Sequence, residues 1–495
     1  MTIPNPFFGS SVIVVSVILF YSAYRFYTNE QYKYALILIF AAGLLLRFYL
    51  GADFFLNSWD ERYHALAAKN LLEHFLIPTL YDKPLFDYDY REWTNNHIWI
   101  HKPPLTLWLI AASLKLFGTH EIAVRIPSII LSSISILLTY SIGKYIFDRR
   151  TGLLASFFFA INGFLIELAS GHEPTDHPDI LFVFFVELGI FLSIQFIQYR
   201  KNIYLLFIGM AMGCAVLVKW LPAFIVVGIF FLILFQRDSW RVAFRYSFIV
   251  VCISCIIFVP WQIYIFSTFP KEAAWESYFN YMHIFEALDG HDGTFFYHFA
   301  MMPRIFGELI YLPLTLFIYM LAQKQISKNG AMLFVWIFVP YLFFSIVATK
   351  MPGYVMFSAP AVFIILAWSI WKIKESVSTK KWIRITLVLF LIILPIRYSI
   401  ERLKPFQEID RNPLWAQQFR NFSIMIGDQK AVIFNTPHYI EAMFYSHATA
   451  YPFIPSQDQL RHVKDSGYAV YIIGSPDVPQ HIRNTQQTIL LPYIK

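Results

Sequence analysis

The sequence predicts an all-α polytopic membrane protein of about 12–13 transmembrane helices, with interfacial helices in its first outer loop and a small C-terminal α/β outer domain. Three observations carry this. Hydrophobic residues make up 57% of the 495 and charged residues only 14%, and the mean hydropathy is +0.53, a balance that suits a bilayer and not water. Apolar runs close to the roughly 17–25 residues that cross a hydrocarbon core recur along the chain. Lys and Arg gather in alternate short loops, as positive-inside topology requires.

In chain order the apolar segments fall near 11–27, 35–50, 127–147, 151–168, 179–198, 203–218, 221–236, 246–264, 304–321, 331–348, 354–371 and 383–399. The first lacks the basic start and small-residue cleavage site of a signal peptide, so it reads as a retained helix. Basic residues mark one side: Arg25 and Lys33; Lys144, Arg149 and Arg150; Arg200 and Lys201; Arg237, Arg241 and Arg245; Lys324 and Lys328; then Lys372, Lys374, Lys380, Lys381 and Arg384. Those loops are expected in the cytoplasm. The alternation closes only if 105–118, at about 14 residues short for a span, lies along the membrane interface. Loops 51–126, 169–178, 265–303 and 349–353 then share the outer face with everything after about residue 400. The expected domains are a transmembrane domain over 1–400 and a soluble outer domain over 401–495.

The net charge of +7 traces mostly to the basic loops, which favours contact with anionic membrane lipids over nucleic acid. Cys214, Cys252 and Cys255 all sit in apolar spans and read as packing residues. In the outer segment, 429–435, 448–453 and 468–473 read as strands, while 438–446 and 456–466, the latter opened by Ser456, read as helices. This β-α-β-α-β pattern has no Gly-rich phosphate loop, so an accessory or acceptor-docking role is expected rather than catalysis.

Candidate chemistry concentrates in the outer loops. Asp60 and Glu61 open a helix expected over 60–75, and Ser58 with Glu61 three residues on has the pattern of a capping box, so the two carboxylates also suit a plain helix start. A second acidic stretch ends with Asp179 at the mouth of a span, where a carboxylate is costly unless paired or hydrated. Helix capping is the alternative there. Arg62, Lys83, Lys102, Arg125, Lys219, Arg304 and Lys350 lie on the same side, suited to a phosphate or to interfacial snorkelling.

Several ordered pieces together resemble the type C integral-membrane glycosyltransferases, in the branch containing the protein O-mannosyltransferases and the aminoarabinose transferase that modifies lipid A. The pieces are Asp60-Glu61-Arg62-Tyr63; Lys102-Pro103-Pro104-Leu105 with Trp108; Phe117-Gly118 with Glu121 and Ala123 to Pro127; and Asp179 after a proline. They continue with Leu217-Val218-Lys219-Trp220, Asp292-Gly293-Thr294-Phe295-Phe296-Tyr297 and Lys350-Met351-Pro352-Gly353-Tyr354. The resemblance implies an inverting transfer of a sugar from a polyprenyl-phosphate donor to a lipid, glycan or protein acceptor, on the periplasmic side of a bacterial inner membrane. It implies that Asp60 stands beside the acceptor hydroxyl as general base or orienting group, that Glu61 supports it, and that Asp179 is the second acidic member. Lys102 would contact phosphate, Lys350 and Tyr354 would lie near the donor, and Arg62, Tyr63, Lys83 and Arg125 complete the expected substrate-binding set.

Two departures stand out. His101 occupies a position where relatives often carry Glu, and the 265–303 loop offers His283, His291 and His298 where many relatives have a basic residue. His101 with His283 or His291 is a candidate divalent-metal site, against the simpler reading of polar loop histidines. The rival from another class is a transporter or lipid flippase, whose cue would be ionisable residues deep in spans or helices broken at mid-membrane. The sequence places its charges at helix ends instead. A third reading, an inactive relative serving as a scaffold, is disfavoured by retention of Asp60, Asp179 and Lys102.

Overall fold

The computed structural model describes residues 5–377, 380–483 and 488–491. In chain order the elements are α1 (Asn5–Thr28), α2 (Tyr32–Leu50), α3 (Asp60–Asn70), α4 (Pro104–Phe117), α5 (Glu121–Ile146), α6 (Arg149–Ile161), α7 (Gly163–Ala169), α8 (Asp176–Tyr199) and α9 (Ile203–Lys219). There follow α10 (Ile225–Phe235), α11 (Trp240–Thr268), α12 (Pro270–Phe285), α13 (Tyr297–Phe306), α14 (Tyr311–Ala322), α15 (Ala331–Ile346), α16 (Ala359–Glu375), α17 (Lys381–Leu403) and α18 (Leu414–Ile426). The chain closes with β1 (Ala431–Phe434), α19 (Tyr439–Tyr445), β2 (Thr449–Ala450), α20 (Gln457–Asp465), β3 (Ala469–Ile473), α21 (Gln480–Arg483) and β4 (Thr488–Leu491). These form two compact units, one of Met1–Gly51 with Ser128–Ile409, the other of Ala52–Pro127 with Asp410–Lys495.

The first unit carries the spans and makes the chain an integral membrane protein. Among the described residues, eight helices are long and apolar enough to cross a bilayer, or up to ten if each of two bent pairs is one span. Helix is the only open structure that satisfies its own backbone in hydrocarbon. Each apolar segment expected from sequence is helical, but two are not straight. The segment expected over 151–168 bends by 57° between α6 and α7. Asn162 sits at the break, accepting from Leu165 N at 3.0 Å and donating to Ile305 O at 2.7 Å. Arg47 of α2 takes up nearby carbonyls, donating to Ala160 O at 3.1 Å and Phe159 O at 3.4 Å, and to Ser132 Oγ at 2.8 Å. The segment expected over 304–321 is bent by 110° between α13 and α14, at Gly307, whose φ of 102° only glycine adopts readily.

Ionisable residues are not confined to helix ends, contrary to expectation. Glu187 is fully buried in the middle of α8, accepting from Thr139 Oγ1 of α5 at 2.6 Å, and Arg47 is fully buried as well. Both make polar ties between helices, as buried charged groups in membranes must.

The second unit is an α/β assembly. Its strands are all parallel in the order β2-β1-β3-β4, with β1 pairing β3 from Ala431↔Ala469 to Phe434↔Ile472. The three expected strands and two expected helices are present, and Ser456 forms a full capping box with Gln459 at the start of α20. Helix α18 and strand β4 were not anticipated. One hydrophobic core joins Val432, Ile433, Ile440, Val463 and Ile472 to Leu66, Trp99, Leu107 and Ile110 of the first loop. The C-terminal segment therefore shares its core with residues of the 51–126 loop.

Candidate active site

The expected site residues fall into two groups, one in each unit. In the second unit, Asp60 is the first residue of α3 and Lys102 the last before Pro103 and Pro104, with Pro103 extended at ψ 154° as the N-cap of α4. The prolines fix the entry to α4, since Pro suits the first helical turn and restrains the residue before it. Lys102 Nζ lies 3.5 Å from Asp60 Oδ2, with 23% and 17% of the respective side chains exposed. Burial alone pushes the Asp60 carboxyl up, but Lys102, His64 and His101 together outweigh it and hold the group at about 2. His101 is stacked on Trp93 with ring centroids 4.7 Å apart and planes 6° off parallel.

Glu61 is occupied elsewhere. Arg125 grips it through Nε–Oε1 at 2.6 Å and Nη2–Oε2 at 2.9 Å, and both side chains are fully buried. Glu61 Oε2 also accepts from the backbone and side-chain amides of Asn57 at 2.6 and 2.8 Å. Arg125 further donates to Asp53 O at 2.7 Å and Phe55 O at 2.6 Å. One expectation is corrected: no capping box forms at Ser58, because the helix starts at Asp60 with Trp59 as N-cap and no side-chain cap. Glu61 and Arg125 instead direct their polar groups to each other and to Asn57, Asp53 and Phe55. A buried carboxylate with an opposite fixed charge favours that pairing over a solvated cap.

Arg62 likewise has partners within the unit, donating to Tyr63 OH at 3.2 Å and reaching Glu441 at 3.4 Å, while the Tyr63 and Tyr439 hydroxyls are 3.4 Å apart. These contacts tie α3 to α19. Lys83 is exposed.

In the first unit, Asp179 lies in the first turn of α8, inside the helix rather than at its cap. Lys219, the last residue of α9, and the Thr175 hydroxyl both bond its carboxylate. Thr175 is the N-cap of α8 and has φ 66°, a strained value for a β-branched residue. Lys219 Nζ also sits 4.4 Å from the centre of the Tyr354 ring. Gly353 is necessary here, because a Cβ would meet the Asp179 carboxylate and come within 3.1 Å of Thr175 Oγ1. In the sequence Lys219 stands among the basic residues suited to a phosphate and Gly353 within the Lys350–Tyr354 motif, neither as a partner of Asp179; Thr175 carried no signal beyond adjacency.

Lys350 is turned away from this cluster. Its ammonium donates to Phe344 O at 2.9 Å, Ser345 O at 2.7 Å and to Val347 O, the last carbonyls around α15. It acts as a C-terminal helix cap. His283 Nδ1 is 2.9 Å from Thr349 Oγ1, and the His291 carbonyl accepts from Lys350 N. Among the described residues no group of three His, Cys, Asp or Glu side chains is placed to hold a metal, so the structure gathers no such site around His101, His283 or His291.

The family model described as dolichyl-phosphate-mannose-protein mannosyltransferase matches residues 101–264. The undecaprenyl phosphate-alpha-4-amino-4-deoxy-L-arabinose arabinosyl transferase of Pseudomonas aeruginosa (strain LESB58) is 26% identical over 284 residues, 54% of this chain and 49% of that protein. The chain spans about half the length of such curated relatives. ArnT from Cupriavidus metallidurans, solved bound to undecaprenyl phosphate, matches with a TM-score of 0.61 at 14% identity over 87% of each chain. AglB, the oligosaccharyltransferase of Archaeoglobus fulgidus solved with an inhibitory peptide and a dolichol-phosphate, matches with a TM-score of 0.59 at 14% identity, covering 85% of this chain and 65% of that one. The chain has the fold of these two solved structures.

Proposed function

We propose that the protein is a polyprenyl-phosphate-sugar-dependent glycosyltransferase delivering one sugar, with inversion, to a lipid, glycan or protein acceptor on the periplasmic side of a bacterial inner membrane. The aminoarabinose transferase relatives favour a pentosyl over a hexosyl donor. The observation that carries this reading is the partly exposed Asp60–Lys102 pair, 3.5 Å apart, on a helix start anchored by the buried Glu61–Arg125 pair.

A sugar 1-phosphate is already activated, so catalysis needs a placed acceptor, a proton acceptor and neutralisation of the departing phosphate. The acceptor oxygen bonds to the anomeric carbon from the face opposite the phosphate. The C–O bond to phosphate breaks, the polyprenyl phosphate leaves with the electron pair, and the acceptor proton passes to Asp60. A carboxyl held at about 2 by Lys102 and its histidine neighbours is a feeble base. A donor phosphate that draws the Lys102 ammonium removes the strongest of those stabilising charges, and Asp60 then becomes a better base. Arrival of donor thereby switches on the proton acceptor. Asp179, held by Lys219, is carried as the second acidic member on likeness to the family.

Lys102→Ala tests this, with undecaprenyl-phosphate-linked 4-amino-4-deoxy-L-arabinose as the donor probe. Loss of one charge-assisted contact is worth about 1.5–3 kcal/mol, so donor KM should rise about 10–150-fold. The acid limb of the pH–rate profile should also move up, because Asp60 loses Lys102. Unchanged donor KM would remove Lys102 from the mechanism. A transporter reading draws its support from Glu187 inside α8; movement of the probe across vesicles without transfer would favour it.

A further inference from the structure

Where α10 ends and α15 begins, a cleft of about 270 Å³ is lined by Gln236, Arg237, Ser327, Lys328 and Asn329. That is far above the ~10–15 Å³ that admits one water. Every lining side chain offers a hydrogen-bond donor, and none is acidic. Asp238, the carboxylate adjacent in sequence, is paired with Arg200 at 2.9 Å, which leaves Arg237 and Lys328 as an excess of positive charge. Arg237 is held in place through Nη2, which donates to Tyr145 OH at 3.0 Å and to Asn329 Oδ1 at 3.2 Å. The neighbouring Phe235 and Trp240 rings are 53% and 59% exposed, the placement of aromatic side chains at a bilayer interface.

We propose that this cleft binds the phosphate headgroup of an anionic lipid drawn from the leaflet that the basic loops face. The chemistry is that of a basic pocket between helices at the depth of lipid phosphates. The site is separate from sugar transfer and does not depend on that reading.

The test releases purified protein from nanodiscs of equimolar phosphatidylglycerol and phosphatidylcholine and counts retained lipids by native mass spectrometry. Retention of phosphatidylglycerol over phosphatidylcholine is expected. Arg237→Gln and Lys328→Gln should each reduce it about fivefold, and the pair about thirtyfold, at roughly the worth of one basic residue near an anionic surface apiece. Arg384→Gln, in the first turn of α17, should leave it unchanged. Lys328 is exposed, so its single variant keeps the test valid if Arg237→Gln fails to fold. A second arm supplies undecaprenyl phosphate in place of phosphatidylglycerol; equal retention there supports a lipid phosphate of that source. Equal retention of phosphatidylcholine, full retention by the double variant, or displacement of the lipid by millimolar inorganic phosphate would each overturn the proposal.

Discussion

Glu61→Gln should destabilise the second unit far more than its position beside a candidate catalytic residue suggests. The carboxylate is fully buried, receives two bonds from Arg125 and two from Asn57, and neutralises a guanidinium that is itself fully buried. Glutamine preserves the shape but leaves Arg125 charged in the core. Breaking one side of such a pair costs about 3–5 kcal/mol. For a unit of this size that is about 6–20 °C in melting temperature, at ~2–4 °C per kcal/mol. The assay is a melt followed by tryptophan fluorescence, with hydrogen exchange over 52–127 to confirm that the loss is local to this unit. Arg125→Leu should cost a similar amount, since it also orphans the Asp53 and Phe55 carbonyls. Combined with Glu61→Leu, it should recover part of the loss, giving a coupling of about 1–3 kcal/mol. A Glu61→Gln melt within ~2 °C of wild type, or additive losses in the double variant, would refute the claim that this pair holds the first turn of α3.

Other outcomes follow from neighbouring contacts. Because the folded Asp60 carboxyl sits at about 2, below its ordinary 3.8, its charge contributes stability fully present above about pH 4 and lost as pH falls through 2. That contribution is on the order of 2 kcal/mol and should shrink in Lys102→Ala, as an acid melt would show. Gly353→Ala should displace Asp179 from Lys219 and cut transfer about 100-fold while the protein still inserts; full activity would show that the cluster tolerates the added methyl. Lys350→Met should lower thermal stability by about 1–3 kcal/mol through orphaned carbonyls at the end of α15 and leave donor KM unchanged. A raised KM would restore a phosphate role for Lys350.

The spans were legible because hydrocarbon demands long apolar helices, and composition alone reports that demand. The breaks at Asn162 and Gly307 were not: at Asn162 the nearby carbonyls are met by Arg47 from a remote helix, and at Gly307 the positive φ falls on a single glycine within an apolar run. Within the C-terminal segment, β1, β3 and the Ser456 cap were readable from short apolar runs and capping chemistry. Helix α18 carries a readable stripe of Ala416, Phe419, Phe422 and Ile426, and β4 is a run of only four residues, too short for its period to be read. Asp60 and Lys102 were each singled out as candidates without being paired, and local sequence suited Glu61 to a cap. Its partner is 64 positions away, and only the fold brings Arg125 to it.

The most direct measurement is mass spectrometry of lipid-linked sugars and envelope glycans in cells carrying the wild-type protein, no protein, or Asp60→Asn at matched expression. The account predicts that one polyprenyl-phosphate sugar accumulates, and that a matching glycan disappears, in the null and the Asp60→Asn cells alike. A well-expressed Asp60→Asn protein that restores both pools to wild-type levels would contradict it.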